Sequence, residues 1–313
     1  MNMVDAGLEP RLDFVTCASP AGLHRMAYWE WGDPANDQVL VCVHGLTRSG
    51  RDFDALARRL SSRYRVVCPD VVGRGRSDWL ANPAFYTVPQ YVSDMVTLIA
   101  RLAPARLAWV GTSMGGLIGL ALSGAAVFAG AMQAMRPHAG MLPPGQGIQL
   151  DKLVLNDVGP RLETGALSRI GQYVGQAGEF ASFEEAVAAM RASSETFGPH
   201  TDAQWADLAR FLYPEFGGKW VKHYDLALAQ ALAAQTPEEL AAGEQILWRS
   251  YDATPCPILI LRGEQSDLLT RQTVDEMLKR NPRAQALEVP GVGHAPTLIA
   301  DSQVDPVAAF LLA

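Results

Sequence analysis

A serine flanked by glycines lies where one apolar run ends and another begins. Residues 110–116 read V-G-T-S-M-G-G, after the apolar residues 107–109 and before the apolar residues 117–122. A sharp strand-to-helix turn lifts a serine hydroxyl off a sheet, and small neighbouring residues permit that strained backbone. The following helix directs its N-terminal N–H groups to the same point. The segment therefore predicts that Ser113 is a catalytic nucleophile, against the alternative that it only caps a helix.

A serine hydroxyl needs a base, and the base needs a carboxylate that orients it. We predict His294 as the base, because its loop, P-G-V-G-H-A-P, follows the last predicted strand. Asp267 is the predicted acid: it lies in the loop after the preceding strand and gives the chain order Ser, Asp, His of one hydrolase type. Glu264, nearer the end of that strand, and Asp157, directly after L-V-L-N, remain alternatives.

Attack on a carbonyl also requires hydrogen-bond donors for the developing oxyanion. The turn itself supplies the backbone N–H of Met114, and the loop after the strand ending in V-H-G supplies that of Leu46. We predict these two N–H groups as the oxyanion hole. His44, which precedes this loop, is expected to brace it rather than to transfer protons.

The positioning elements are predicted to form a parallel sheet covered on both faces, because apolar strands without polar alternation are separated by helical patterns. Phe14–Cys17 and Arg25–Trp31 predict a β-hairpin at the start. The strand pattern stops between Gly159 and Tyr251, where helical patterns follow one another. We predict a core of residues 1–158 and 252–313 and a helical cap, or lid, of residues 159–251.

Composition excludes several classes of protein. The 313 residues carry a net charge of −7 and 49% are hydrophobic, which disfavours a nucleic-acid or anionic-membrane partner and supports a large core. We expect no signal peptide and no membrane span, and hence a cytoplasmic protein. The four cysteines form no C-x-x-C pair, so buried free thiols are expected and no metal site is predicted. They are Cys17, Cys42, Cys68 and Cys256.

The combined motifs resemble those of the α/β-hydrolase superfamily over nearly the full length. They are H-G-L, P-D-V-V-G-R-G-R-S-D, G-T-S-M-G-G, G-E-Q-S-D and G-V-G-H. The resemblance is to the branch of capped carboxylesterases, enol-lactonases and C–C bond hydrolases, and L-N-D-V-G-P is similar to bacterial esterases of which some act on polyester oligomers. It implies a mostly parallel eight-stranded sheet, a helical cap after strand six, a Ser-His-Asp triad and no cofactor.

The predicted activity is hydrolysis of a small or oligomeric carboxylic ester through an acyl-enzyme, by a monomer or homodimer. Cleavage of C–C bonds in dienoic keto acids, or of an enol-lactone, is the enzymatic alternative. It involves anionic substrates and calls for an arginine facing Ser113, with Arg48, Arg74 and Arg161 as candidates. A ligand receptor on the same fold is the non-enzymatic alternative. The sequence assigns no substrate-binding residue.

One segment departs from the family pattern. Residues Ser123 to Leu150 form a longer connection than the usual helix and turn between the serine and the next strand. They contain Met132, Met135 and Met141, which we interpret as core-filling residues. An extended helix, or a lobe beside the cap, is expected here.

Overall fold

A computed structural model describes residues 9–134 and 147–313. Within them the strands are β1 (Arg11–Ser19), β2 (Gly22–Trp31), β3 (Gln38–Val43), β4 (Arg65–Pro69), β5 (Arg106–Thr112), β6 (Lys152–Asn156), β7 (Glu179–Phe180), β8 (Glu215–Phe216), β9 (Lys219–Val221), β10 (Ile258–Gly263) and β11 (Ala284–Val289). The helices are α1 (Asp54–Leu60), α2 (Val88–Leu102), α3 (Met114–Ala134), α4 (Thr164–Val174), α5 (Phe183–Ser193), α6 (Asp202–Arg210), α7 (Leu228–Ala233), α8 (Pro237–Ala253), α9 (Arg271–Arg280) and α10 (Asp301–Leu312).

Eight strands form one sheet in the order β1-β2-β4-β3-β5-β6-β10-β11. β1 and β2 form the predicted hairpin, β2 pairs antiparallel with β4, and every other pair is parallel. The predicted fold class, a mostly parallel eight-stranded sheet, is confirmed. Because the carboxyl ends of parallel strands meet at one edge, the loops after β3, β5, β6, β10 and β11 converge there.

Apolar side chains cover the sheet on both faces. One cluster joins the sheet to α2, α3, α8 and α9, and a second joins it to α1 and α10. The central strands are buried almost throughout, which explains why their sequences show no polar alternation. All four cysteines are buried and free, as predicted.

The block inserted between β6 and β10 contains α4 to α8, and its middle part has a small core of its own. It also holds a three-stranded sheet, β7-β9-β8, which the sequence did not predict because strands of two or three residues are too short to show a period. The predicted boundary at residue 251 falls inside α8, and α8 packs along α3. This last helix therefore belongs to the helical layer of the core.

Helix α3 is the most apolar helix that the structure describes. Its segment Met114–Met132 is long and apolar enough to span a membrane, but half of that segment is buried inside the protein. It packs on β5, α2 and α8, as a core helix does. Its last turns extend beyond these neighbours, so Met132 is 67% exposed and does not fill the core, contrary to the prediction. Met135 and Met141 lie outside the described residues.

Candidate active site

Ser113 lies at the turn between β5 and α3 with a φ of 51°. This left-handed conformation is unusual for a residue other than glycine. The flanking glycines are required by space: a Cβ on Gly111 would come within 2.3 Å of the Gly115 backbone, and one on Gly115 within 1.9 Å of the Val43 carbonyl oxygen. The turn is therefore packed against its own helix and against β3, as the motif predicts.

His294 connects Ser113 to a carboxylate. Its Nε2 lies 2.9 Å from Ser113 Oγ, and its Nδ1 lies 2.8 Å from Asp157 Oδ2. The imidazole is only 11% exposed, and the carboxylate is fully buried. With Nδ1 donating to Asp157, Nε2 is left to accept a proton from the serine hydroxyl. The geometry thus brings Ser113 and His294 together, as predicted from sequence.

Asp157 directly follows β6, and several hydrogen-bond donors hold its carboxylate in place. Oδ1 accepts a hydrogen bond from the backbone N–H of Gly263, at 2.8 Å, and Oδ2 accepts one from Ser266 Oγ, at 2.6 Å. Its own N–H donates to the Leu261 carbonyl, and its φ is 56°. A buried carboxylate with three hydrogen-bond donors, including His294, is fixed in position.

Asp267 does not contact His294, contrary to the prediction. Its two oxygens accept hydrogen bonds from Arg169 of α4, both at 2.8 Å, and its side chain is 49% exposed. Burial alone would raise the pKa of Asp267, but the hydrogen bonds and charge of Arg169 outweigh it and hold the pKa below its usual value. Glu264, the other alternative, accepts from the N–H of Gly291.

Strand order favours Asp157, and the direction of the side chains in the loop after β10 excludes Asp267. β6 lies between β5, which carries Ser113, and β10, so the end of β6 is closer to Ser113 than the end of β10. The loop after β10 turns Ser266 inward, toward Asp157, and Asp267 outward, toward α4. The loop that sequence reasoning selected therefore contributes a donor to the carboxylate rather than the carboxylate itself.

The backbone N–H groups of Leu46 and Met114 lie beside Ser113, and the carbonyl of each of these two peptides already accepts hydrogen bonds on its other side. The Gly45 carbonyl accepts from His44 Nδ1 and the Arg48 N–H, and the Ser113 carbonyl accepts from the first turn of α3. A trans peptide directs its N–H opposite to its C=O, so the N–H groups of Leu46 and Met114 face away from these partners. In residues 9–134 and 147–313, neither N–H has a protein acceptor. Both N–H groups can therefore donate to a ligand, and their role as the oxyanion hole stays a prediction.

Buried side chains brace the loop that carries Leu46. His44 accepts from the Val71 N–H through Nε2 and donates to Gly45 through Nδ1, which confirms its predicted bracing position. Arg74, fully buried, donates to the Leu46 carbonyl at 2.8 Å. His223, from the inserted block, accepts from the Gly75 N–H and donates to the Thr47 carbonyl. Sequence reasoning did not identify these partners of His223, because nothing local marks a contact across more than 140 residues.

His44 and His223 predict an acid-sensitive fold. Burial lowers the pKa of His223 from 6.5 to about 3 and that of His44 well below its usual value, and both accept a backbone N–H that only the neutral ring can accept. The unfolded chain binds these protons below pH 6.5 and the folded chain does not. The stabilisation from these two neutral rings is therefore fully present well above pH 6.5 and is lost as the pH is lowered. For one such group, the free energy of unfolding decreases by about 2 kcal/mol between pH 7.5 and pH 5.

Thermal unfolding of wild type and His223→Gln at these two pH values checks this expectation. Glutamine can accept from Gly75 and donate to Thr47 without titrating. The variant should lose less stability than wild type on acidification. An identical loss in both proteins would show that His223 does not contribute.

The side chains of Ser113 and His294 open into a cavity of about 340 Å³. Most of its wall comes from the inserted block, whose apolar and aromatic side chains there are Ile170, Tyr173, Phe180, Met190, Leu208, Leu212 and Tyr213. This volume is at the lower end of the roughly 300–1,000 Å³ of small-molecule sites. The site is thus a small pocket of mixed apolar and polar character with the serine and histidine in its wall.

The three arginines predicted to face an anion have other partners. Arg48 lines the cavity, but two hydrogen bonds of 2.7 Å pair it with Asp52. Arg74 braces the Leu46 loop and does not line the cavity. Arg161 is bound by Glu244 and Glu276, and it does not line the cavity either. None of the three is an unpaired cation facing Ser113.

One cluster among the described residues has the composition of a metal site. Cys17, His24 and Asp94 are buried together, with candidate ligand atoms within 4.8 Å of one another. His24 Nε2 lies 3.1 Å from Asp94 Oδ2, and Gln90 donates to the second carboxylate oxygen. Burial raises the pKa of the Cys17 thiol to about 12, so the thiol is protonated in the absence of a metal. These contacts are those of a hydrogen-bonded cluster between the hairpin and α2.

Comparison with known proteins finds a matching family and several similar proteins. The sequence profile described as "Alpha/beta hydrolase family" matches residues 40–310. A 3-hydroxybutyrate-oligomer hydrolase of Cupriavidus necator is 54% identical over 300 residues, which are 95% of this chain and 96% of that protein. A 2-(acetamidomethylene)succinate hydrolase of Mesorhizobium japonicum is 26% identical over 257 residues, which are 82% of this chain and 81% of that protein.

Among solved structures, an alpha/beta hydrolase from Novosphingobium aromaticivorans is similar over 97% of this chain and 98% of the chain in that structure. The TM-score is 0.78, with 32% sequence identity. The similarity thus includes the inserted block as well as the sheet.

Proposed function

Because the chain belongs to the alpha/beta hydrolase family, we propose that it is a serine hydrolase that cleaves the esters of short 3-hydroxybutyrate oligomers. The observation that carries the chemistry is the continuous chain of hydrogen bonds from Ser113 through His294 to Asp157. The substrate class comes from the relative of 54% identity, which this chain matches over nearly its whole length.

The first half-reaction forms an acyl-enzyme. Ser113 Oγ attacks the ester carbonyl while His294 Nε2 takes its proton, and Asp157 stabilises the imidazolium that forms. The N–H groups of Leu46 and Met114 bind the oxyanion of the tetrahedral intermediate. Collapse of that intermediate breaks the bond to the leaving alcohol, which receives the proton from His294.

The second half-reaction uses water. His294 removes a proton from a water molecule, which attacks the acyl carbon, and the released serine recovers its proton. The sum is one ester and one water giving one acid and one alcohol. For a hydroxyacid oligomer, both products are shorter hydroxyacid chains. The inserted block supplies most of the cavity wall, so we propose that residues 159–236 act as the cap that selects the substrate.

Incubation of the purified chain with 3-hydroxybutyrate trimer tests the substrate class. Mass spectrometry should detect monomer and dimer, and kcat/KM for the trimer should exceed that for a simple enol-lactone by about tenfold or more. Faster turnover of the lactone would favour the lactonase alternative. Binding of the trimer without any product would favour a receptor.

A further inference from the structure

The cavity is more positive than the protein around it. Three cationic side chains line it, those of Arg48, Arg169 and Lys222, against one carboxylate, that of Asp52. The whole chain, in contrast, has a net charge of −7. A cationic lining in an acidic protein indicates an anionic ligand, because the low-dielectric walls strengthen the local field.

Two of these three charges already have a carboxylate partner. Arg48 makes two hydrogen bonds of 2.7 Å with Asp52, and Arg169 makes two of 2.8 Å with Asp267. A guanidinium paired in this bidentate way is largely neutralised and fixed in orientation. Neither arginine therefore supplies the unpaired charge.

Lys222 differs from both arginines. No carboxylate lies within 4.0 Å of its Nζ among residues 9–134 and 147–313. Nζ donates instead to the backbone carbonyls of Gln176, at 2.7 Å, and Tyr173, at 3.4 Å, at the end of α4. An ammonium has three donors, so one N–H remains, and the pKa of Lys222 is lowered because burial disfavours its charge.

We propose that Lys222 binds the terminal carboxylate of the hydroxyacid oligomer, an inference that rests on the proposed function. A linear hydroxyacid chain carries one free carboxylate at the end opposite its hydroxyl. That carboxylate supplies the counter-ion that Lys222 lacks, and the two carbonyls hold the ammonium in the wall of the cavity that also contains Ser113. The Tyr224 ring, 5.6 Å from Nζ, adds a further contact that favours the ammonium.

The size of the cavity sets the position of cleavage. About 340 Å³ admits only a short chain, so a substrate held by its carboxylate presents an ester near that end to Ser113. Free-acid oligomers should therefore be better substrates than the same oligomers capped as methyl esters. The preference should weaken as salt screens the ion pair.

The experiment compares 3-hydroxybutyrate dimer with its methyl ester in three variants. Lys222→Met removes the charge at similar length, Lys222→Arg keeps the charge, and Lys219→Met is the matched control. Lys219 lies three residues away, is 59% exposed and pairs with Glu179. We expect Lys222→Met to raise KM for the free acid about tenfold or more with kcat changed less than threefold. The methyl ester should be affected less than twofold, and Lys222→Arg should restore most of the loss.

An equal loss for the free acid and the methyl ester would overturn the inference, because it would mean that Lys222 only caps α4. Unchanged kinetics on both substrates would overturn it as well. Either result would leave the proposed function intact, as long as the wild type cleaves the dimer. Failure of the wild type to cleave any oligomer would instead contradict the proposed function itself.

Discussion

Ser113→Ala is expected to lower kcat by about 10⁴-fold or more on 3-hydroxybutyrate trimer and on p-nitrophenyl butyrate. The change removes the single oxygen that lies 2.9 Å from His294 Nε2. Residual hydrolysis would come only from the oxyanion donors and from binding of the ester, since neither depends on the serine hydroxyl. His294→Ala should reduce kcat to a similar extent, because the two side chains act as one unit.

Ser49→Ala provides the control for this experiment. Ser49 is buried, and its hydroxyl has no partner in the part of the chain that the structure describes. Its removal should leave kcat within about twofold of wild type. Thermal unfolding of all three variants separates a loss of chemistry from a loss of folding. A folded Ser113→Ala protein that keeps more than a tenth of the wild-type kcat would rule out the acyl-enzyme mechanism.

The fold could be predicted because its signals are local and repeated. Apolar runs without alternation predicted the buried central strands, and glycines around Ser113 predicted a turn where a Cβ would collide with backbone atoms. The position of His294 followed from the same reasoning, since a loop after the last strand reaches the edge at which β5 ends. These are properties of short segments and of one topological rule.

The choice between the two aspartates required side-chain direction. Both follow parallel strands whose ends open on the same edge, so topology alone permits either. The carboxylate of Asp157 faces His294 because Gly263 and Ser266 donate hydrogen bonds to it there. The carboxylate of Asp267 instead accepts hydrogen bonds from Arg169. Such packing has no signature in a single sequence.

The residues of the inserted block were beyond prediction for a related reason. Lys222 and His223 line the cavity and directly follow β9. The strands of this three-stranded sheet are too short to leave a periodic pattern. The partners of these two residues lie up to 176 residues away in the chain. Chain proximity therefore gives no indication of either contact.

Asp157→Asn and Asp267→Asn are expected to differ by about three orders of magnitude in kcat. Asparagine at 157 removes the charge that stabilises the imidazolium and allows the wrong imidazole tautomer, which should lower kcat about 10³- to 10⁴-fold. Asparagine at 267 breaks only a half-exposed pair with Arg169, whose contribution to stability is at most about 1 kcal/mol. Its kcat should stay within about threefold of wild type.

Ser266→Ala separates orientation from charge at this site. It deletes one of the donors to Asp157 and leaves both the carboxylate and His294 in place. The expected loss in kcat is intermediate, about ten- to a hundredfold, because the carboxylate keeps its charge but is held less firmly. Steady-state kinetics on the trimer, with unfolding curves for each variant, measures the series. A severe loss in Asp267→Asn together with near wild-type activity in Asp157→Asn would reverse the assignment and require the loop after β10 to rearrange during catalysis.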